Sequence, residues 1–449
     1  MAAPVAAQTI AITGGTVALG DGSEPIPGGT VVIRNGRIVA AGVNVGIPQG
    51  AEMIDARGKW VTPGIVAGFS RLGLSEVDLS GGLTDDKAES GPFGAAIDVA
   101  PGINPADSTI AVNRADGVTR AIVAPNVARS IFGGQGAVID LGADMEPITR
   151  SRVFQFVELG EAGGNTAGGS RPSAYIQFRN ALREARELGR YAGPVSSSGR
   201  RPEEPLDRPI VRNPNESRLY GPGAGRSEDV LLTRFDAAAL VPVLQGRQLL
   251  LVHVERARDI LNVIGLKRDY ASLKIVLVGA TEGWLVADRI ATAGVPVIAS
   301  AVNDLPANFE QIAATQSNVG RMRDAGVQVA IGMIDDNDTR YLFNERQYAG
   351  NLVALGDVPG ASGVSWGDAF AMITSRPAEV LGMGRDIGSL ASGRRADVVI
   401  WSGDPLQVSS NAETVFIDGV QQPMDTRQTK LRERYRDLNR DVLPEAYRR

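Results

Sequence analysis

The stretch VTPGIVAGFSRLG, residues 61–73, divides the chain into two different patterns. Before it, residues 9–60 alternate short apolar runs with Gly-rich turns, which is typical of a meander of short strands. After it, strand-like apolar runs alternate with helical patterns, which favours a parallel sheet covered by helices. With 449 residues, the chain is long enough for one large barrel and a smaller accessory domain.

The pair Asn35-Gly36 predicts a hairpin near the N-terminus, because Asn and Gly accept the positive φ angles of a type I′ turn. Similar strand-like runs return at residues 396–401 and 414–419, so we expect the two ends to pair into one small sheet domain. The resulting division is a composite β-sandwich of residues 8–60 and 386–424, a barrel of residues 61–385 and a charged helical extension of residues 425–449.

The middle of the chain carries the runs that we expect to build the barrel. Strands are predicted at residues 119–124, 249–254, 274–278, 295–299 and 327–331, and a helix at residues 367–373. Their spacing suits eight strand-helix units better than an open sheet.

Three other segments do not follow this alternation of strands and helices. Residues 196–225, rich in Gly, Pro, Ser and Arg, predict a long surface loop or a partner-facing arm. The run FGGQGA at residues 132–137 lacks the lysine of a phosphate-binding loop, so we predict a tight turn between strands. The charged tail predicts a helix that either lies solvated on the barrel or contacts another subunit.

Composition excludes several function classes. The formal net charge of −5 provides no broad positive field, so we expect neither nucleic acid nor an anionic membrane as a partner. Because the chain has no cysteine, disulfides, thiolate nucleophiles and thiolate metal sites are absent. The small residues of MAAPVAAQ, residues 1–8, resemble the surroundings of a signal-peptidase site and predict a periplasmic or secreted protein; a frayed cytoplasmic N-terminus is the alternative.

Residues 61–73 resemble, without a gap, the signature V-T-P-G-[LI]-[IV]-D-A-H-S-H-L-G of imidazolonepropionase-like amidohydrolases. Further similarity follows in the family's order at residues 116–120, 375–382, 387–390 and 393–399. The resemblance implies an α/β fold, a (β/α)8 TIM barrel with a joint β-sandwich built from the terminal segments. In active members of this family, one or two metal ions, commonly zinc, activate water at the C-terminal ends of the strands.

The ligands implied by the resemblance fall mostly on residues that cannot bind metal. The two strand-one histidines correspond to Phe69, which has no lone pair to offer, and Arg71, which is permanently charged. The strand-five histidine corresponds to His253, the only histidine of the chain.

The remaining ligand positions are also changed. The bridging lysine aligns with Gly164, with Glu158 or Glu161 as possible substitutes, because residues 88–266 contain no lysine. The strand-six histidine corresponds to Gly279. The strand-eight aspartate corresponds to Ile334, although Asp335, Asp336 and Asp338 follow directly.

A catalytic zinc needs about three protein ligands. We therefore expect no metal cofactor, and we expect a non-catalytic subunit that forms a homo-oligomer or a hetero-oligomer with a catalytic amidohydrolase homologue.

Two alternatives stay open. The first is a hydrolase of amide or peptide-like C–N bonds that uses metal-free acid-base chemistry at His253, Glu282 and Asp335. The second is a small-molecule or peptide binding protein in which Phe69, Arg71 and His253 contact the ligand. Arg71 could hold an acidic ligand, or it could pair internally with Glu76, Asp78 or a strand-eight aspartate.

Overall fold

The computed structural model describes residues 9–75, 84–191, 230–334 and 340–436. Its strands are β1 (Thr9–Val17), β2 (Ile26–Arg34), β3 (Arg37–Gly42), β4 (Glu52–Asp55), β5 (Trp60–Pro63), β6 (Ile65–Ser70), β7 (Val118–Val123), β8 (Phe132–Asp140), β9 (Ile148–Glu158), β10 (Leu249–Val254), β11 (Ile275–Gly279), β12 (Val297–Ala299), β13 (Val329–Ile331), β14 (Val398–Trp401), β15 (Ala412–Ile417) and β16 (Val420–Gln421). Its helices are α1 (Ser108–Ala115), α2 (Glu161–Thr166), α3 (Arg171–Tyr191), α4 (Arg234–Leu244), α5 (Ala257–Asp269), α6 (Ala287–Ala293), α7 (Asn318–Asp324), α8 (Asn344–Ala354), α9 (Trp366–Met372), α10 (Ser375–Val380) and α11 (Arg427–Arg436).

The two ends of the chain form one eight-stranded sheet, as predicted. Strands β16, β15, β14, β5, β1, β2 and β3 lie side by side in that order, and β4 pairs with β1. The antiparallel pair of β5 and β14 joins strands from the two ends. The predicted hairpin is confirmed as β2 and β3, with φ angles of 52° at Asn35 and 71° at Gly36.

The second sheet contains strands β6 to β13 in chain order and curls into a nearly closed barrel. Each predicted barrel strand is present within one or two residues. The first and last strands meet where the backbone N–H of Met333 donates to the carbonyl of Phe69 at 3.0 Å. Every residue of β6 is buried, as expected for a barrel strand covered on both sides.

The third barrel strand departs from the regular strand-helix repeat. Strand β8 runs antiparallel to both β7 and β9. Its two connections, residues 124–131 and 141–147, are shorter than the dozen or so residues that a parallel crossover requires, so the chain turns back as a meander.

The predicted turn at residues 132–137 is wrong, because this segment forms the first part of buried β8. A side chain at Gly136 would collide with the ring of Phe154 on the neighbouring strand. A Cβ at Gly134 would meet the backbone carbonyl of Ile97 at 2.7 Å. These glycines therefore serve close packing inside a strand rather than a reversal of the chain.

The C-terminal helix is described only in part, and several other predicted segments lie outside the described residues. Helix α11 buries none of its residues, so it does not pack on the barrel. The predicted loop at residues 196–225 lies outside the described residues, as do Glu76, Asp78 and residues 335–339. Within the described ranges, no helix combines the length and apolarity needed to cross a membrane.

Arg120 of β7 joins the barrel to the terminal sheet. Its side chain is completely buried, and Nε and Nη2 donate to the two carboxylate oxygens of Asp397 at 2.8 and 3.0 Å. The guanidinium also lies 2.9 Å from Asp418 and 3.3 Å from Asp140. Burial by itself lowers the pKa of Arg120, but these carboxylates more than reverse the effect, so the guanidinium stays charged.

Replacing Arg120 by Met should lower the free energy of unfolding by about 3–5 kcal/mol, because the carboxylate of Asp397 would stay buried without its cation. Urea unfolding followed by circular dichroism measures this loss. The matched control is Arg37→Met, which removes an exposed ion pair with Asp386 and should cost no more than about 1 kcal/mol. Equal losses in the two variants would contradict the role given to Arg120.

Candidate functional site

The described part of the barrel has a cavity of about 200 Å³ at the C-terminal ends of its strands. This is the end at which barrel enzymes place their active sites. The walls come from different strands and from the loops that follow them. The lining residues are Phe69, Arg71, Asn126, Val127, Phe156, Glu158, Ala162, His253, Glu255, Asn308, Glu310, Gln311 and Ile334.

His253 lies between two carboxylates on one side of this cavity. Its Nδ1 is 2.7 Å from Oε2 of Glu158, and its Nε2 is 3.0 Å from Oε1 of Glu255. Strands β9 and β10 pair in register at Glu158 and His253, so backbone pairing sets this contact. Glu255 follows His253 by two residues, which is the spacing that returns a strand residue to the same face.

The imidazole of His253 is held in its charged form. An ionised carboxylate only accepts hydrogen bonds, and only the imidazolium form has an N–H on both ring nitrogens. Burial by itself lowers the pKa of His253, but the charge of Glu158 and the hydrogen bonds to both carboxylates hold this pKa well above its usual value. The pair of contacts therefore forms a carboxylate–imidazolium–carboxylate cluster.

Glu255 occupies space that another side chain would need. A Cβ at Gly279, at the end of β11, would collide with the carboxylate of Glu255. Oε2 of Glu255 accepts the backbone N–H of Thr281 at 2.8 Å. Burial raises the pKa of Glu255, but His253 and Thr281 outweigh it, so the net shift is downward and the carboxylate is ionised. A histidine at position 279 would have to displace this carboxylate.

The strand-one side of the cavity is aromatic and cationic. The rings of Phe69 and Phe156 pack at 5.6 Å between centroids. The guanidinium carbon of Arg71 lies 5.8 Å from the centroid of the Phe69 ring, and the Arg71 side chain is largely buried. Ile334 also lines the cavity, so the strand-eight position contributes an apolar group.

Arg171 ties together the loops that surround the cavity. Its Nη2 lies 2.9 Å from Oε2 of Glu310, and its Nε lies 2.9 Å from Asp259. The same Glu310 oxygen accepts the backbone N–H of Glu161 at 2.8 Å. Burial raises the pKa of Glu310, and Arg171 offsets only part of that rise. Segments that follow β9, β10 and β12 are thereby held at fixed distances.

Only some of the candidate residues from the sequence line the cavity. Phe69, Arg71 and His253 all line the cavity. Glu282 is absent from the lining, and its carboxylate accepts the backbone N–H groups of Ala257 and Ala313 at 2.9 and 3.1 Å. That geometry organises two loops and leaves Glu282 poorly placed for acid-base chemistry. Asp335 lies outside the described residues.

Three glutamates of the cavity were recognisable from the sequence to different degrees. Glu158, considered as a substitute for the bridging lysine, contacts His253, whereas Gly164 lies in helix α2. Glu255 could have been predicted from the sequence, because a strand residue two positions after His253 lies on the same face of the strand as His253. Glu310 carries none, because only the path of the loop after β12 brings it to the cavity.

Within the described ranges, which leave out residues 335–339, the donor set does not fit the metal that the resemblance implies. Phe69, Arg71, Gly279 and Ile334 offer no ligand atom, and both nitrogens of His253 are engaged by carboxylates. Among the described residues, no three His, Asp or Glu side chains are grouped so that they could hold a metal ion.

Comparison with known sequences shows distant similarity to amidohydrolases. A sequence model of the Amidohydrolase family matches residues 272–421. Amidohydrolase tasK of Hapsidospora irregularis is 25% identical over 394 residues, which make up 84% of this chain and 38% of that protein. The imidazolonepropionase of Acidiphilium cryptum (strain JF-5) is 25% identical over 405 residues, 85% of this chain and 88% of that protein. The chain thus spans well under half the length of the first relative.

Comparison with solved structures confirms the predicted fold class. The crystal structure of an amidohydrolase from Thermotoga maritima MSB8 superposes with a TM-score of 0.77 at 24% identity. The match covers 92% of this chain and 99% of the other. The barrel with a separate sheet from both chain ends is therefore an architecture that the two proteins share.

The single histidine allows a direct test of its charge. Because the folded-state pKa of His253 is raised, its ring signal should not titrate between about pH 5.5 and 7.5, where an ordinary histidine does. Proton NMR of protein without a histidine tag measures this. A midpoint near the ordinary value of about 6.5 would contradict the cluster.

The same charge has a consequence for stability. The stabilisation from charged His253 is complete below the unfolded-state pKa of about 6.5 and is lost as pH rises through the higher folded-state pKa. The difference in unfolding free energy between wild type and His253→Gln should therefore shrink at alkaline pH.

Proposed function

We propose that this chain, a distant homologue in the amidohydrolase superfamily, is a non-catalytic subunit that associates with a catalytic amidohydrolase. The observation that carries the proposal is the engagement of both nitrogens of His253 by Glu158 and Glu255. The strand-five side chain that would bind metal or accept a substrate proton has no lone pair left for either task.

A metal ion would have to undo this arrangement. A ligating histidine must be neutral, so binding would require loss of a proton and of at least one of the two hydrogen bonds. The raised pKa of His253 opposes that proton loss. Arg71 adds a second cation to the same cavity, and a divalent ion there would be repelled by it.

Metal-free hydrolysis is less well supported by the same geometry. A general base needs a lone pair within hydrogen-bond reach of the substrate proton. Both carboxylate oxygens of Glu255 accept hydrogen bonds, from His253 and Thr281, and Oε2 of Glu310 accepts from Arg171 and Glu161. The polar groups of the cavity mainly satisfy one another, which suits a role in structure or binding.

A partner role accounts for the retention of the barrel without its ligands. Packing of the strands requires no metal, so a subunit can keep its shape after its chemistry has gone. In Amidohydrolase tasK, the matching region is joined to further polypeptide in one longer chain. We propose a comparable association between separate chains here.

The proposal predicts that the chain co-purifies with an amidohydrolase homologue that has intact H-x-H ligands and is made in the same cells. The complex should hydrolyse an amide or dipeptide panel, whereas this chain alone should show no turnover above His253→Gln. Affinity capture followed by mass spectrometry, with a tag that lacks histidine, identifies the homologue.

Metal analysis separates the possible outcomes. Plasma mass spectrometry of the isolated chain should find zinc and manganese far below one ion per chain. Stoichiometric metal together with turnover that is lost in His253→Gln would overturn the proposal. Absence of the homologue from every capture, with a monomeric chain in solution, would also count against it.

A second candidate function is the binding of a small acidic ligand. The cavity carries Arg71 next to the aromatic pair Phe69 and Phe156, and a guanidinium binds a carboxylate with two parallel hydrogen bonds. A cavity of about 200 Å³ suits a ligand of roughly the size of an amino acid or a small dipeptide.

Replacing Arg71 by Met should weaken the binding of such a ligand by about 10-fold or more, the loss expected for a charged hydrogen bond. Calorimetric titration with N-acetyl amino acids measures the affinity. Arg71→Lys is the matched control, because it keeps the charge without the planar fork and should lose less. Unchanged affinity in Arg71→Met would remove this candidate.

A further inference from the structure

Helix α11 is a cationic, fully exposed element. Its ten residues carry five basic side chains and one acidic side chain, in a chain whose formal net charge is −5. None of these residues is buried against the rest of the protein. Leu431 and Tyr435 are four residues apart, so they lie on the same helix face, and they are 37% and 54% exposed.

The start of this helix is well specified. The backbone N–H of Thr429 donates to the hydroxyl oxygen of Thr426 at 3.2 Å. In return, the backbone N–H of Thr426 donates to the hydroxyl oxygen of Thr429 at 2.8 Å. This reciprocal pair satisfies donors that the first helical turn leaves open. A defined start indicates that the helix is a built element of the chain.

Residues 427–436 of the helix lack the tertiary packing that normally stabilises a helix in water. Lys430 and Arg434, and likewise Arg432 and Arg436, place like charges four residues apart, which is destabilising. A surface that brings negative charge and an apolar contact would remove both deficits.

The protein has a groove with these properties near the root of the helix. The Met145 groove, with a volume of about 310 Å³, is lined by Pro105, Ala106, Ala111, Asp144 and Met145 among others. Met145 is 72% exposed, and Asp144 and Glu146 are exposed beside it. Arg114 also lines the groove, but its guanidinium donates to the carbonyls of Leu141 and Pro423.

The groove and the root of the helix share one face of the molecule. Pro423 accepts from Arg114, and the side-chain carbonyl of Gln422 accepts the N–H of Ala143 at 2.9 Å. Arg114 and Ala143, which donate these two hydrogen bonds, both line the groove. In a two-fold dimer each subunit offers the same patch to the other, so an arm rooted beside a groove can reach the partner's groove while its own is filled in return.

We propose that helix α11 is a dimerisation arm that docks in the Met145 groove of a second copy of this chain. Leu431 and Tyr435 cover the apolar floor, and the basic side chains face Asp144 and Glu146. The charges are complementary because the helix is positive within an otherwise acidic chain. This inference concerns another face of the molecule and does not rest on the role proposed for the cavity.

The test is the self-association of the full chain, measured by sedimentation velocity over a range of protein concentrations. Wild type should dimerise, and Leu431→Asp combined with Tyr435→Asp should raise the dimer dissociation constant by about 10-fold or more. The matched control combines Ile47→Asp with Val408→Asp, two exposed apolar residues outside both surfaces, and should dimerise like wild type. Thermal unfolding should be unchanged in the monomeric form of each variant.

Charge reversal tests the pairing of the two surfaces. Asp144→Arg should weaken the dimer, and adding Arg432→Glu and Arg434→Glu should restore at least part of the affinity. A wild-type chain that stays monomeric at all concentrations would overturn the proposal, as would a dimer unaffected by the Leu431 and Tyr435 substitutions. Capture of a different acidic protein through α11 by a monomeric chain would equally reject a second copy as the occupant.

Discussion

The buried guanidinium of Arg120 is the contact on which the two-sheet arrangement depends. It takes both oxygens of Asp397 and lies close to Asp140 and Asp418, so one cation compensates carboxylates from the barrel and from the terminal sheet. Removal of either partner would leave a charge in a place that water cannot reach. The relative position of sheet and barrel is thereby fixed, and the barrel strands that carry the cavity are fixed with it.

In the cavity, as at Arg120, cations of the chain itself balance the charge of carboxylates. His253 is charged because Glu158 and Glu255 surround it, and Glu255 fits because position 279 is a glycine. The protonated side chain thereby supplies positive charge to these two carboxylates. Arg171 extends the same pattern to Glu310 and Asp259.

A barrel of this kind can offer its outer surface to other protein chains. The charged groups around His253 and Arg171 bind one another, whereas helix α11 buries none of its described residues against the rest of the chain. An exposed helix and an open groove therefore remain on the outside. Association with other chains is therefore the consistent physical expectation, both for the proposed complex with a catalytic homologue and for the proposed dimer.

The sequence alone determined the fold class and the position of most strands. Apolar runs of the right length, the Asn35-Gly36 turn and the resemblance at residues 61–73 depend on local chemistry, which is readable without a structure. The resemblance also aligns Phe69, Arg71 and Ile334 with ligand positions of the family, and the identity of these side chains is enough to predict that they do not bind a metal ion. The run at residues 132–137 was misjudged because glycines serve both turns and close packing.

Tertiary structure alone decided what His253 does. Glu158 reaches the imidazole from the neighbouring strand β9, and Glu255 reaches it from two residues further along the same segment. The distances to both carboxylates set whether the imidazole is a neutral base or a fixed cation. Glu310 reaches the cavity only through the path of a loop, and the sequence does not encode that path in any local pattern. Glu282, an equally plausible acid in the sequence, is committed to backbone amides. Charge state and access depend on neighbours far apart in the chain, and folding brings those neighbours together.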